Sequence, residues 1–460
     1  MLNLRNRARW AAAHAAIALP MLTGACDVKK ELLDPQNPAV IDPSAVTTPA
    51  AADALRIGAF GRLKVATAGG ESMWLYGGLL TDEWKSSDTF TQRNETDQRS
   101  VQTNNGNIVT AYASLQQSRG YIKTAIDLLN QYTPDSTRNI GQMYMSLGFA
   151  EMTIAQTFCN GVPLTYTNGG IYVYGPQLTT DSIYKLASFH LDSAVSFARG
   201  ADAIATAVRQ AALVARARVL VDMGQFAQAA ALVPVSAVPT SFQYLLTFDQ
   251  TSGDNNIWSL NNSIGRYSVS DSVDAGGVLA NALPFASAND PRVPVIKSPS
   301  VKPVDGTTPL FIQTLWANRN DPVPLASGID ARLIEAEAKL NAADYAGMMT
   351  ILNALRTTAQ TIGTKAIPAQ AALTTVPTTK DAAVAILFRE RGFWTFGRGE
   401  RLPDLRREVR LYGKAQDKVF PAGSFSFKTP GAVYGNDVNF PVTDNEITNP
   451  LFKGCIDRKA

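Results

Sequence analysis

The 460-residue chain has three cysteines and two histidines, and this scarcity removes whole classes of chemistry. No cysteines stand at zinc-ligand spacing, and there is no HExxH pair, no GxSxG elbow and no GxxxxGK[ST] phosphate loop. Zinc hydrolysis and Ser-His-Asp acyl transfer are therefore not expected, and neither a metal nor a cofactor is expected. His14 falls in the N-terminal segment treated below. His190 lies mid-helix among apolar residues, where a packing role is expected. Charge of one sign is lacking as well. The formal net charge is +3, from 42 basic and 39 acidic residues; without Arg5, Arg7 and Arg9 the 42 become 39, equal to the acids. A neutral chain has no long-range field to gather a polyanion, so nucleic acid is not an expected partner.

The N-terminus reads MLNLRNRARWAAAHAAIALPMLTGACDVKK, with arginines, then an apolar run from Trp10 to Leu22 too short to cross a bilayer, then small residues. Residues 1–25 have the form of a secretory signal peptide. Leu22-Thr23-Gly24-Ala25-Cys26 resembles a bacterial lipobox, with its Leu four residues before the Cys rather than three; lipidation of Cys26 is expected, against ordinary cleavage near Ala25 as the alternative. Export implies an oxidising compartment. With Cys26 acylated, Cys159 and Cys455 remain, and a Cys159–Cys455 disulfide is expected.

Residues 26–48 are polar and Pro-rich, the composition of an extended leader. Beyond them the periodicity is helical: Ile122, Ala125, Ile126 and Leu129 share a face, as do Tyr144, Leu147, Ile154 and Phe158, and Ile183, Ala187, Leu191, Ala194 and Ala198. Further helices are expected over Pro49–Val65, Ala207–Met223, Gln225–Val233, Gly328–Asn341, Tyr345–Thr358 and Lys380–Phe396. Strand alternation is scarce, so the fold is expected to be all-α. ARARVLVDMGQFAQAAAL, from Ala215, and AEAKLNAADYAGMMTIL, from Ala336, each put small residues on one helix and an aromatic, Phe226 or Tyr345, at the start of the next. Small residues let two helices approach while the aromatic fills between them, as in tetratricopeptide-type hairpins. The chain thus divides into an N-terminal helical part (49–233), a loop-rich insertion (234–327) and a C-terminal helical part and tail (328–460) that completes the same domain. The Gly-, Pro-, Asn- and Asp-rich insertion is expected to carry function.

Trp74, Tyr76 and Trp84 cluster in ESMWLYGGLLTDEW, and Trp258, Tyr267 and Trp316 lie in the insertion. Flat aromatic faces beside amides and carboxylates suit sugar rings, and these six are the expected ligand-binding residues; a core role is the alternative for each. Asp82 and Glu83, beside Trp84, are the pair a glycoside-cleaving enzyme would use.

Between Arg389 and Glu408 the sequence RERGFWTFGRGERLPDLRRE carries six arginines, four acids and three aromatics. Arg389, Glu390, Arg391, Phe393, Phe396, Gly399, Arg401, Asp404, Leu405 and Arg406 match the ERxxEhxxEGxRWxDLxR signature of the SusD/RagB outer-membrane lipoproteins, with Leu402-Pro403 in place of the aromatic before the Asp. Asp290-Pro291-Arg292 is similar to that family's DPR box, ARLIEAEAKLNAADYAGMMTILNALR to its paired helices, and FPVTDNEITNPLF to its ending. The chain thus resembles SusD/RagB proteins over nearly all of its mature length. The resemblance implies an all-α scaffold of tetratricopeptide-like helical hairpins with a loop-rich insertion, on which the Arg389–Glu408 stretch is scaffold. It further implies a lipid-anchored cell-surface protein of the outer membrane, without catalytic activity. Such a protein would bind an oligosaccharide-like nutrient and pass it to a SusC-like TonB-dependent transporter. The alternatives are a glycoside-cleaving enzyme and a peptide- or protein-binding helical-repeat module.

Overall fold

The computed structural model describes residues 46–168, 171–274, 277–425, 428 and 431–460. The signal peptide, Cys26 and the leader up to residue 45 lie outside the described residues.

Most of the helices begin where the sequence supplies a cap. Helix α1 (Pro49–Val65) starts behind Thr48, whose side chain accepts from the Ala51 N–H, and places Pro49 at its first position, where a missing N–H costs nothing. It is followed by α2 (Met73–Leu80), α3 (Thr91–Asp97), α4 (Gly106–Tyr132), α5 (Thr137–Thr157), α6 (Thr180–Phe197), α7 (Ala203–Asp222) and α8 (Phe226–Leu232). After the insertion come α9 (Gly328–Asn341), α10 (Tyr345–Thr357), α11 (Lys380–Trp394) and α12 (Arg401–Arg410). Asp202 caps α7 by accepting from Ile204 and Ala205, and Ser327 with Asp330 forms a reciprocal capping box on α9.

The expected apolar faces are the ones that pack, with one exception. Ile183, Ala187, Leu191 and Ala194 of α6 are fully buried against α5. There Gly148 allows the approach, because a Cβ on it would stand 2.6 Å from Leu191 Cγ. Each such aliphatic side chain contributes about 1.5–3 kcal/mol by leaving water. Tyr144, by contrast, stays half-buried at the helix surface, stacked on Phe197 and on His190. His190 has a structural role: its Nδ1 lies 2.6 Å from Glu151 Oε2, and Arg119 Nη2 donates to the other carboxylate oxygen at 3.1 Å.

Helices α7 and α8, and α9 and α10, form the two hairpins read from the sequence, and α8 packs on α9. The hairpins meet although the whole insertion separates them in sequence. A short antiparallel ladder closes the insertion at its base: β2 (Gln243–Leu246) pairs with β4 (Val323–Ser327), setting Gln243 opposite Ser327. A second ladder ties the insertion to the N-terminal part, where β1 (Trp84–Ser86) pairs antiparallel with β3 (Tyr267–Val269). The fold is all-α in class, a tetratricopeptide-like scaffold with few short strands. Among the described residues no helix is long and apolar enough to cross a membrane.

The Arg389–Glu408 stretch lies in the middle of this scaffold. Arg391, Arg398, Arg401, Arg406 and Arg407 are each at most 4% exposed. Arg407 donates to both oxygens of Glu337 (3.1 and 3.0 Å), to Asp222 (2.9 Å) and to Asp404 (2.7 Å). Asp222 ends α7 and Glu337 sits in α9, so one guanidinium joins both hairpins. Arg398 pairs with Asp330 at 2.6 Å, and Arg401 forks onto Asp82 at 2.6 and 2.8 Å. Arg292 of the DPR segment pairs with Asp290 and Glu390, each at 2.6 Å, under the Phe393 and Trp394 rings. A groove for phosphates needs its cations in solvent; here Arg391, Arg398, Arg401 and Arg407 are engaged by internal carboxylates.

The tail is tied back as well. Cys159, just past α5, is disulfide-bonded to Cys455, and Asn160 and Asp457 pair beside the bridge.

Candidate ligand-binding face

The six aromatics expected to bind ligand do not share a surface. Trp74, Tyr76, Trp84, Tyr267 and Trp316 are between 0% and 2% exposed, so the expectation that these five form a stacking platform is corrected: they are core. The physical reason is local in each case. Trp74 fills the space above Gly399, whose φ of +72° and lack of a side chain are both required, since a Cβ there would lie 2.3 Å from Trp74 Cδ1. Trp84 packs on Phe396 at 4.9 Å, and Trp316 lies over Gly397. Trp258 alone of the six remains half-buried.

Asp82 and Glu83 are likewise fully buried. Asp82 is engaged by the Arg401 fork and by the Leu283 N–H at 2.7 Å. Glu83 accepts from the Gly397 N–H at 2.9 Å through Oε1, while Oε2 has no hydrogen-bond partner among the described residues. Neither carboxylate reaches solvent, where a glycosidic bond would have to approach. Burial pushes the Glu83 carboxyl up to about 8, the Gly397 hydrogen bond opposing, so it is protonated at neutral pH. The sign follows: an acid with a raised folded pKa stabilises the fold fully below its ordinary 4.5, and that contribution is lost as pH rises through about 8. Glu83→Gln is therefore expected to match the parent in thermal stability at pH 5 and to exceed it at pH 9. Equal shifts of the two proteins between those pH values would refute the assignment.

What reaches solvent is Phe90, above a set of buried and half-buried polar residues. The turn from Ala66 to Ser72, between α1 and α2, has a contact on each side. On one, its Ala68 and Gly69 carbonyls accept from the backbone and side-chain N–H groups of Asn256 (2.9 and 3.3 Å), in the one-turn helix that ends at Trp258. On the other, Glu71 accepts a fork from Arg93 of α3, both bonds at 2.6 Å, and a further bond from the Tyr267 hydroxyl. Burial pushes the Glu71 carboxyl up, but the bonds from Arg93 and Tyr267 and the charges of Arg93 and Arg266 outweigh it and hold it below the usual range. Phe90 stands beside this cluster, 59% exposed, with the Arg93 and Arg266 guanidinium groups 5.3 and 5.8 Å from its ring centre. Arg266 is pinned by Asp88 at 2.9 Å, and Lys428 by Asp305 at 2.9 Å and the Asp88 carbonyl at 2.7 Å. The result is an aromatic face with fixed charged donors and acceptors at its edge, with half-buried Trp258 across the turn.

This is the arrangement that suits a polyhydroxylated ring: a C–H face on Phe90, hydroxyls among guanidinium and carboxylate groups. The sequence reading missed Phe90, Arg93 and Arg266. The available signal was one large apolar residue inside the polar run KSSDTFTQRNE, which has no helical or strand reason to be buried.

No model of a known protein family matches the chain, and no curated protein matches it by sequence. Solved structures do. A SusD superfamily protein from Bacteroides vulgatus superposes with a TM-score of 0.60 at 15% identity, over 88% of this chain and 98% of that one. Surface glycan-binding protein A from Bacteroides uniformis gives 0.62 at 14% identity, over 89% and 99%. A putative sugar binding protein from Bacteroides vulgatus gives 0.59 at 14%, over 90% and 99%. The likeness runs nearly end to end in both chains, and what is shared is the SusD-like fold.

Proposed function

On that SusD-like fold, we propose that the chain is a surface-exposed outer-membrane lipoprotein that binds a glycan or similar nutrient and delivers it to a SusC-like TonB-dependent transporter, with no catalytic step. The observation that carries the reading is the near full-length likeness to SusD-superfamily structures, among them a surface glycan-binding protein. The face around Phe90 supplies the recognition chemistry. An acyl chain on Cys26 with the Pro-rich segment behind it would tether the body, since each buried methylene contributes about 0.8 kcal/mol and several chains hold stably.

The test is retention on an array of neutral and acidic glycans, with peptides alongside, comparing the full chain with Phe90→Ala and Trp258→Ala. Retention of a glycan, weakened at least about tenfold by Phe90→Ala at unchanged thermal stability, is the expected result, in line with the ~1 kcal/mol and more that a stacked ring contributes. Peptide capture without glycan capture would favour the helical-repeat interaction reading. Hydrolysis of a retained glycan would overturn the proposal.

A further inference from the structure

The buried arginines of the Arg389–Glu408 stretch share one rule, and one of them breaks it. Arg391, Arg398, Arg401 and Arg407 each pair with at least one carboxylate. Arg406, 4% exposed, pairs with none among the described residues. Its Nη1 donates to the carbonyls of Ala155, Gln156 and Phe158 at 3.2, 2.6 and 3.3 Å, which crowds that nitrogen, and Nε has no hydrogen-bond partner among the described residues. Desolvation accordingly pulls its pKa down to about 10. A guanidinium buried without a counter-charge is costly, and the edge that Nη1 leaves over is the fork that matches two oxygens of a carboxylate or phosphate.

Arg406 lines a cavity of about 500 Å³ between the end of α7, the start of α6, α12 and the tail. Tyr184, 4% exposed, lines it too, and its hydroxyl, kept neutral by burial, makes no hydrogen bond among the described residues. Three cationic and three acidic side chains line the walls, and the charge left once the paired acids are set aside is positive. Asp222 is taken by Arg407 and Gln156, and Asp181 by Lys185 at 2.6 Å. That leaves Asp457 facing Arg406, Arg410 and Lys459. The first turn of α6, an 18-residue helix, also opens on the cavity and adds the positive end of its dipole.

We propose that this cavity binds a small oxyanion, a carboxylate- or phosphate-bearing solute, whose anionic group lies on the Arg406 fork with Arg410 at the mouth and the Tyr184 hydroxyl donating. Its volume exceeds that of a bare ion and fits a sugar acid or a phosphate ester. The site uses none of the residues of the Phe90 face, so it stands whether or not that face binds glycans.

The experiment is calorimetric titration of the full chain, at low ionic strength, with glucuronate, inorganic phosphate and glucose. Saturable binding of at least one anion, with Kd below about 10 mM and no response to glucose, is expected. Arg406→Lys, which keeps charge but loses the fork, should weaken it about tenfold or more. Arg410→Gln and Tyr184→Phe should each weaken it by a smaller factor; Arg410 is exposed, so its variant reports even where Arg406→Lys does not fold. A preference for glucuronate assigns the solute to the carboxylates, one for phosphate to the phosphates. No saturable anion binding, equal binding of glucose, or affinities unchanged in all folded variants would overturn the site.

Discussion

Asp404→Ala is expected to remove about 3–5 kcal/mol of folding free energy, because it breaks a buried ionic cluster from the inside. The Asp404 carboxylate is fully buried; Oδ2 accepts from Arg391 Nε at 2.8 Å, and Oδ1 from Arg391 Nη2 at 2.8 Å and Arg407 Nη2 at 2.7 Å. Burial pushes its carboxyl up, but the two guanidinium groups win and hold it below the usual range, so its contribution is present above the unfolded pKa and disappears as pH falls. Once it is gone, the carboxylates left to Arg391 among the described residues are Glu400 at 3.3 Å and Glu337 at 3.7 Å. Arg407 still has Glu337 and Asp222, so the deficit falls chiefly on Arg391. Asp404→Asn should lose nearly as much as Asp404→Ala, since shape is kept and charge is not. Urea unfolding is the measurement, because guanidinium would screen the interaction under study. A loss under about 1 kcal/mol would mean that Glu337 and Asp222 alone compensate both arginines.

That cluster explains why the scaffold was legible in the sequence while the binding face was not. Helix periodicity is a local signal: α1 and α9 fall on the residues the pattern marks, Pro49–Val65 and Gly328–Asn341. The start of α7 differs, at Ala203 rather than Ala207, because its first turn is set by the Asp202 cap and not by apolar spacing. Arg398, Arg401 and Arg407 reach acids in three other parts of the chain, Asp82 before β1, Asp222 at the end of α7, and Asp330 and Glu337 on α9, and no spacing rule connects those three parts. The motif resemblance pointed to scaffold, and the burial of Arg391, Arg398, Arg401 and Arg407 agrees. Aromatic type misled in the opposite direction. Trp84 and Tyr267 sit in partner strands β1 and β3 with both faces of the ladder covered, so a tryptophan beside acids looked like a binding residue and is a core residue. Phe90, lacking such company in sequence, gains Arg266 and Glu71 as neighbours only through that same ladder and the Ala66–Ser72 turn.

Removing the disulfide should have a comparable effect by a different route. Cys159 and Cys455 stand 296 residues apart, so their bridge closes most of the chain into one loop; the chain-entropy relation gives about 5.7 kcal/mol as an upper figure, and a loss of about 3–5 kcal/mol is expected. The constraint acts on the unfolded chain, but it also has a folded consequence. Between Phe440 and Lys459 the tail is held by contacts spread along its length: Phe440 exchanges backbone bonds with Thr157 and Cys159 at 2.9 Å, Tyr112 donates to Glu446 at 2.9 Å, and Ile456 donates to Asn160 at 2.8 Å. Each is a modest interaction, and the bridge keeps their partners at high local concentration. In a Cys159→Ser, Cys455→Ser double variant, the amides of Asn160 and Ile456 should exchange hydrogen faster while those in the middle of α5 remain protected. Asp457 and Lys459 line the oxyanion cavity, so anion binding should weaken in the same variant while ligand retention at Phe90, on a face that uses neither residue, should not. Unfolding within about 1 kcal/mol of the parent would show that the unfolded chain is already compact enough for the bridge to constrain little. Anion affinity unchanged alongside faster exchange at Ile456 would separate the cavity from the tail, leaving the Arg406 and Tyr184 walls sufficient on their own.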